Sequence, residues 1–188
     1  MSDQQFIKNY LQDFIEALKP DDDSVESLIQ VRNLLLEVNS NKKKALIFGN
    51  GGSAAIASHF SVDLTKNAKI KCLNFNEASL ITCLANDYGF EHWAEKAIEF
   101  YGNEGDLLIV ISSSGQSENM LNAAEAARNC NFQSVITLSG FSENNPLRRQ
   151  GDVNLWVDNK SYNFVENIHQ IWLLAIVDLV IGNREYSA

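Results

Sequence analysis

Apolar residues recur at helical spacing near the beginning of this chain. Residues 6–18 place an apolar side chain every three or four positions, and Pro20 ends that segment. A second apolar stripe over residues 25–35 predicts another helix, and Asp21 to Asp23 indicate a turn with a helix cap. The chain is therefore expected to begin with a pair of helices, residues 1–40, suited to packing against another subunit.

After residue 44, short aliphatic runs alternate with helical segments. The predicted strands are KALIFG, KIKCLNF, DLLIVIS, SVITLSG and, at an edge, VNLWVD. The predicted helices cover residues 53–67, 77–85, 91–101, 118–129 and 163–181, with the turn NDYG between the second and the third. This alternation predicts a doubly wound parallel α/β sheet. We expect one domain over residues 1–188, with the α/β core at 44–188.

Charge and composition narrow the classes of partner. The net charge is −9, which argues against a nucleic-acid surface, because such surfaces collect Lys and Arg. The three cysteines show no C-x-x-C spacing, which favours a reduced, cytoplasmic setting. The N-terminal residues do not resemble a signal peptide, and no apolar run is expected to cross a membrane. We therefore expect a cytoplasmic protein with neither nucleic acid nor membrane as a partner.

Two strands end in loops of small residues that run directly into helices, ALIFGNGGSAA and LIVISSSGQSE. In a doubly wound sheet, ligands bind at the carboxyl ends of the strands, where helix N-termini favour anions. Glycines let the first loop approach a ligand closely, and serine hydroxyls donate hydrogen bonds without adding charge. The other interpretation is that the serines form turns and helix caps. The pair of loops favours phosphate binding, by Ser112, Ser113, Ser114 and Ser117.

The phosphate loops do not match the common nucleotide motifs. No G-K-[ST] follows the glycines, which excludes a Walker A loop. GNGGSA has Ala54 at the sixth position of a dinucleotide fingerprint, but no acidic residue closes a second strand to bind a ribose. A dinucleotide is therefore the weaker hypothesis.

With GNGGSAAIASHF, LANDYGF and ISSSGQS in this order, the sequence resembles the sugar isomerase (SIS) domain family, and within it the phosphoheptose isomerases. The resemblance implies a five-stranded, flavodoxin-like parallel sheet and a homotetramer with sites between subunits. It also implies a phosphosugar bound by the serine loop, sometimes with zinc. The residues that match family positions are Asn50, Gly51, Gly52 and Ser53 in the first loop, Asn86 and Asp87 near the sugar, and His59 at a zinc-associated position.

The catalytic positions depart from the family pattern. Asp63 stands where the family has Glu, Glu166 where it has Gln, and Leu174 where it has the catalytic His. Leucine cannot transfer a proton, so the acid–base candidates are Asp63, Glu166 and His169. His169 serves either in catalysis or in a supporting or interface hydrogen bond.

The same residues also allow a metal hypothesis. His59 and Asp63 are four residues apart and share a helix face, as do Glu166 and His169 at a spacing of three. If the two helices meet, His59, Asp63 and Glu166 would supply ligands for a divalent metal such as zinc. The alternative is that Asp63 or Glu166 is a general base, its pKa raised by burial beside the other carboxylate.

The resemblance implies an aldose–ketose isomerase that acts on a heptose phosphate such as sedoheptulose 7-phosphate and requires no cofactor. Such an enzyme would feed the synthesis of surface polysaccharide, including lipopolysaccharide precursors. The alternative is a non-catalytic SIS module that binds a sugar phosphate or a protein partner.

Overall fold

The structure, a computed structural model, describes residues 1–185 and confirms the α/β prediction. Seven α-helices and five strands follow one another in the described residues: α1 (Asp3–Leu18), α2 (Asp22–Ser40), β1 (Ala45–Gly49), α3 (Gly52–Lys66), β2 (Cys72–Asn74), α4 (Ala78–Tyr88), α5 (Trp93–Tyr101), β3 (Leu107–Ser112), α6 (Glu118–Asn129), β4 (Ser134–Gly140), β5 (Val153–Val157) and α7 (Tyr162–Ile181). A short 3-10 turn, Arg148–Gln150, precedes β5.

The five strands form one parallel sheet in the order β2-β1-β3-β4-β5. This is the flavodoxin-like order, and β5 lies at an edge as expected. Every residue of β1 and β3 is buried, because helices cover both faces of the sheet. One core cluster packs the sheet against α2, α3 and α7, and the other packs it against α4, α5 and α6. The parallel arrangement brings the carboxyl ends of β1 and β3 side by side.

The amino ends of the strands are held by charged groups. Lys44, just before β1, pairs with Asp106, just before β3, and Asp106 also accepts from the backbone N–H of Asn103 at 2.9 Å. At the other side of the sheet, Arg128 binds Asp152 with two hydrogen bonds of 2.7 and 2.9 Å. The first pair ties β1 to β3 and the second ties α6 to the start of β5, both at the ends of the strands opposite the two small-residue loops.

Among the elements after residue 44, two have a boundary that differs by more than two residues from the prediction. Residues 86–88 belong to α4, and the helix ends at Gly89, whose φ is +93°. The predicted strand KIKCLNF is reduced to three residues, since only Cys72–Asn74 pairs with β1. The Asp21 cap is confirmed, because its side chain accepts from the N–H of Ser24 at 2.8 Å.

Helix α7 corrects the expectation about apolar runs. It has 20 residues, and an 18-residue stretch of it has a mean hydropathy of 1.6, so it is long and apolar enough to cross a membrane by length and composition. Its apolar character has a structural cause, however, because one side of the helix is buried against the sheet and the neighbouring helices. The buried residues are Phe164, Val165, Ile168, His169, Trp172, Leu173, Ile176 and Val177.

Candidate functional site

A cleft of about 120 Å³ lies between the carboxyl ends of β1 and β3. Seven of the predicted site residues line it, and Ile111 and Tyr162 join them. The predicted residues are Asn50, Ser53, Ser112, Ser113, Ser114, Ser117 and Glu166. Within the described part of the chain, neither Lys nor Arg lines this cleft.

The serine loop forms one wall of the cleft and leads into α6. Ser112 ends β3, and its hydroxyl donates to the Ser117 hydroxyl at 3.0 Å. Ser113 is 5% exposed, and its hydroxyl has no hydrogen-bond partner among residues 1–185. Gly115 turns the chain with φ +67°, and Ser117 precedes the first turn of α6. Helix N-termini carry free N–H groups and a partial positive charge, so this wall is suited to an anion.

The first loop is tied to the serine loop by a pair of amides. The side-chain amide of Asn50 donates to Asn119 at 3.0 Å, and that of Asn119 donates back at 2.9 Å. Asn119 lies in the first turn of α6 and is only 3% exposed. Gly51, with φ +53°, turns the chain into α3. The two loops therefore form one connected wall around the cleft.

Glu166 reaches the cleft from α7. Its carboxylate lies against Gly52, and a Cβ built on Gly52 would be 2.3 Å from Glu166 Oε2. A larger residue here would require the Glu166 carboxylate to shift, because ordinary carbon contacts are longer than 3 Å. The beginning of α3 and the carboxylate of Glu166 are thus held in direct contact.

His59 and Asp63 lie further along α3, outside the cleft lining. His59 Nε2 is 3.2 Å from Asp63 Oδ2, and Gln170 of α7 donates from Nε2 to His59 Nδ1 at 2.6 Å. Because Nδ1 accepts this bond, the proton of the neutral ring is assigned to Nε2, facing Asp63. Asp63 lies roughly 16 Å along the helix axis from Gly52, at 1.5 Å per residue. The helices do meet, as the metal hypothesis required, but through Gln170.

His169 is not brought to the cleft. It is completely buried, and its Nε2 donates to the backbone carbonyl of Ser139 at 3.1 Å. Burial lowers the pKa of His169 to about 4, and the hydrogen bond to Ser139 offsets only part of this effect. Of the two roles expected for this residue, the geometry supports the hydrogen bond, which links α7 to the end of β4.

Asn86 and Asp87 also lie apart from the cleft. Both are exposed near the C-terminal end of α4, where the Asn86 amide donates to Asp87 Oδ1 at 2.9 Å. Neither contributes to the cleft within one chain.

The metal hypothesis does not fit the side chains of one chain. The described residues contain no group of three or more His, Cys, Asp or Glu side chains placed to hold a metal ion. His59 and Asp63 are adjacent, but Glu166 stands apart from them, against Gly52. Structural zinc takes four protein ligands and catalytic zinc usually three, so the predicted set is incomplete.

Three residues near the site were missed from the sequence. Tyr162 lines the cleft, Asn119 pairs with Asn50, and Gln170 holds His59. Tyr162 and Gln170 are each four residues from Glu166, a spacing that places all three on one face of α7 and would have identified them. For Asn119, the available sequence signal was a polar residue on the side of a predicted helix that faces the core.

Comparison with known proteins agrees with this arrangement. The model of the SIS domain family matches residues 7–140. The phosphoheptose isomerase of Helicobacter pylori (strain P12) is 33% identical over 172 residues, or 88% of each chain. The structure of phosphoheptose isomerase GmhA from Neisseria gonorrhoeae superposes with a TM-score of 0.88 at 30% identity, covering 95% of this chain and 99% of that chain. A phosphoheptose isomerase from Francisella tularensis gives 0.87 at 26% identity, covering 97% and 100%.

A parallel sheet with two small-residue loops at one edge, together with these matches, defines the class of protein. The chain belongs to the SIS domain family and, within it, to the phosphoheptose isomerases.

Proposed function

We propose that the protein is an aldose–ketose isomerase acting on a heptose phosphate such as sedoheptulose 7-phosphate. The observation that carries the proposal is the buried hydroxyl of Ser113, which has no protein partner among the described residues and belongs to the cleft at the start of α6. Buried polar groups are normally hydrogen-bonded, so this hydroxyl is available to donate to a ligand atom in the cleft. The family of the chain makes the phosphate of a sugar the fitting ligand.

The phosphate is proposed to be held by neutral donors. Hydroxyl groups of the serine loop and the N–H groups at the start of α6 surround the cleft, which explains how a chain with net charge −9 binds an anion. These donors are fixed in place by the Ser112–Ser117 bond and by the Asn50–Asn119 pair. A preorganised site of this kind does not reorganise when the substrate binds.

The proton transfer is proposed to occur at the far end of the sugar from the phosphate. In sedoheptulose 7-phosphate the phosphate is on carbon 7, while isomerisation involves carbons 1 and 2. An extended substrate would run from the serine loop along α3 and α7. Asp63, paired with His59, and Glu166, in the cleft, lie apart in one chain, so the proposed base is one of the two, whichever reaches carbons 1 and 2.

In the proposed reaction, the base removes a proton from carbon 1 of the ketose while the oxygen on carbon 2 gains a proton, which gives the enediol. A proton is then returned to carbon 2, and the hydroxyl on carbon 1 loses its proton to become the aldehyde oxygen. Each step moves a proton between positioned groups, as general acid–base catalysis requires.

We also propose a homotetramer, because Asn86 and Asp87 lie outside the cleft of their own chain and a neighbouring subunit's copy could complete a site. The proposed location is the cytoplasm, and the proposed product would feed surface-polysaccharide synthesis. The proposed reaction uses no cofactor, and zinc is tested below as an addition.

The proposal is tested with purified protein and sedoheptulose 7-phosphate in deuterated water, with and without added zinc. NMR would follow both deuterium incorporation next to the carbonyl and formation of the aldose. We expect both signals, and we expect Asp63→Asn and Glu166→Gln to reduce them by about 10² to 10⁴-fold, as for loss of an acid–base group. Binding without exchange would contradict the enzyme and support a binding module.

Ser113→Ala provides a second test with opposite effects on stability and binding. Removing an unpaired buried hydroxyl should leave the free energy of unfolding unchanged or raise it. The affinity for the sugar phosphate should fall by about tenfold, corresponding to one hydrogen bond to a charged group. Thermal unfolding and titration of the same preparations would measure both quantities, and a loss of stability without a loss of affinity would contradict the assignment.

A further inference from the structure

Tyr162 stands at the mouth of the cleft, at the first position of α7. Glu166 follows one helical turn later, so the tyrosine and the carboxylate border the same opening. The cleft volume of about 120 Å³ equals that of about four water molecules. A phosphate group would occupy most of this space, and the carbon chain that carries it would leave past Tyr162.

The ring of Tyr162 packs against an unusual neighbour. Phe141, directly after β4, makes an edge-to-face contact with it, with ring centroids 4.8 Å apart and planes at 67°. Phe141 has φ +60°, a left-handed conformation that is uncommon for a bulky side chain. Its N–H donates to the carbonyl of Asn159 at 2.9 Å, in the segment that leads to α7.

Strained conformations persist only where the surroundings hold them, and they are concentrated at functional sites. Here the left-handed residue brings its ring to the one aromatic side chain that lines the cleft within the described residues. The polar lining of the cleft is otherwise short side chains and Glu166, so Tyr162 is the longest neutral donor among the lining residues.

We propose that Tyr162 is a substrate-binding residue whose ring closes the cleft over the phosphoester and whose hydroxyl donates to a phosphate oxygen. Phe141 is its positioning residue. This inference rests on the proposed function, because it assumes that the cleft holds a phosphate. A neutral donor suits this site, since the hydroxyl binds the anion without adding a cation beside Glu166.

The test uses inorganic phosphate as the probe, measured by calorimetric titration, so that it does not depend on which sugar is the substrate. Tyr162→Phe should weaken phosphate binding on the order of tenfold, the effect of losing one hydrogen bond to a charged group. Tyr162→Ala should weaken it at least as much. Phe100→Ala, which removes a similarly exposed aromatic ring from α5, should bind phosphate as the unaltered protein does.

Phe141→Gly tests the positioning role. Glycine accepts the left-handed backbone without strain, but the Phe141 ring packs against the core, so we expect a folded variant with a lower thermal midpoint, and binding is measured well below that midpoint. Phosphate affinity should fall, and the KM for the sugar phosphate should rise with kcat changed less than about twofold, since only binding is affected.

The outcomes separate this inference from the function on which it rests. Phosphate binding in the unaltered protein that is undiminished in Tyr162→Phe and Tyr162→Ala would overturn the role of Tyr162 and leave the proposed function standing. No phosphate binding by the unaltered protein would overturn the proposed function and this inference together. Weakened binding in both Tyr162 variants, with a normal Phe100→Ala, is the expected result.

Discussion

Gly52 and the Glu166 carboxylate share a volume that has no room for one more carbon atom. Gly52→Ala should therefore push the carboxylate away from the start of α3. A displacement of about 1 Å in a site of this kind can reduce activity on the order of 10²-fold. Steady-state kinetics would measure the loss as kcat/KM for the sugar phosphate.

Gly182→Ala is the matched control for Gly52→Ala. Gly182 caps α7 with φ +83°, and a Cβ added there would have no described atom within 4 Å. The added carbon clashes with no described atom, and the only cost is the left-handed backbone that alanine disfavours. We therefore expect a stability loss of about 1 kcal/mol and an unchanged kcat/KM. Equal activity losses in the two variants would show that the Gly52 contact has no special role.

At the residue scale, the sequence predicted the positions of the two small-residue loops better than those of the acid–base candidates. The serine loop was predictable because its position depends only on where β3 ends. His169 was not, because a spacing of three from Glu166 still allows one side chain to face the cleft and the other to face β4. Tyr162 was missed although its spacing of four from Glu166 places both on one face of α7; its contact with Phe141, from a different loop, had no sequence signal.

At the element scale, α7 carries a titrating group in its buried side. His169 has a folded pKa of about 4, below its ordinary value of 6.5, so the unfolded chain binds a proton more readily between these two pH values. The contribution of His169 to the free energy of unfolding is therefore fully present above pH 6.5, and it falls as the pH is lowered towards 4. The expected loss is roughly 3 kcal/mol, from 1.36 kcal/mol per pKa unit.

Urea denaturation at several pH values would measure this slope. His169→Gln removes the titrating ring, so its free energy of unfolding should depend less on pH between 4 and 6.5. If His169→Gln keeps the full dependence on pH, other groups cause that dependence. Near pH 7 the His169→Gln variant should be less stable than the unaltered protein, because the packing and the hydrogen bond to Ser139 are altered.

The elements that were predicted most accurately are those with the strongest local patterns. Helix α6 and strand β4 begin and end at the predicted residues. Helix α4 extends into the predicted turn, because Gly89 and not the preceding polar residues ends it. Strand β2 is short because only β1 pairs with it, and an edge strand can end wherever that pairing ends.

At the scale of the whole molecule, α1 is a helix with an uncovered apolar side. None of its residues is buried against the rest of residues 1–185, although Tyr10 and Phe14 contact Phe164. Its exposed apolar residues are Phe6, Ile7, Leu11 and Ile15, each at least half exposed. An exposed apolar patch of this kind is typical of an interaction surface.

Leu11→Lys should disrupt the proposed tetramer, because a charge would have to be buried in the contact. Gln12→Lys adds the same charge on the polar side of α1, where it can pair with Glu16, and should leave assembly unchanged. Sedimentation velocity would compare the two variants at the same concentration. Tetramers of equal stability would place the subunit contact elsewhere.

The ion pairs at the amino ends of the strands have a further consequence for how this molecule can change. Lys44–Asp106 joins β1 to β3, and Arg128–Asp152 joins α6 to the start of β5, at one end of the strands, while both small-residue loops and Glu166 lie at the other end. Substrate preference and thermal tolerance thus depend on separate sets of residues. These sets lie far enough apart for the effects of substitutions in them to add. A lineage, or a protein engineer, could change one property while keeping the other.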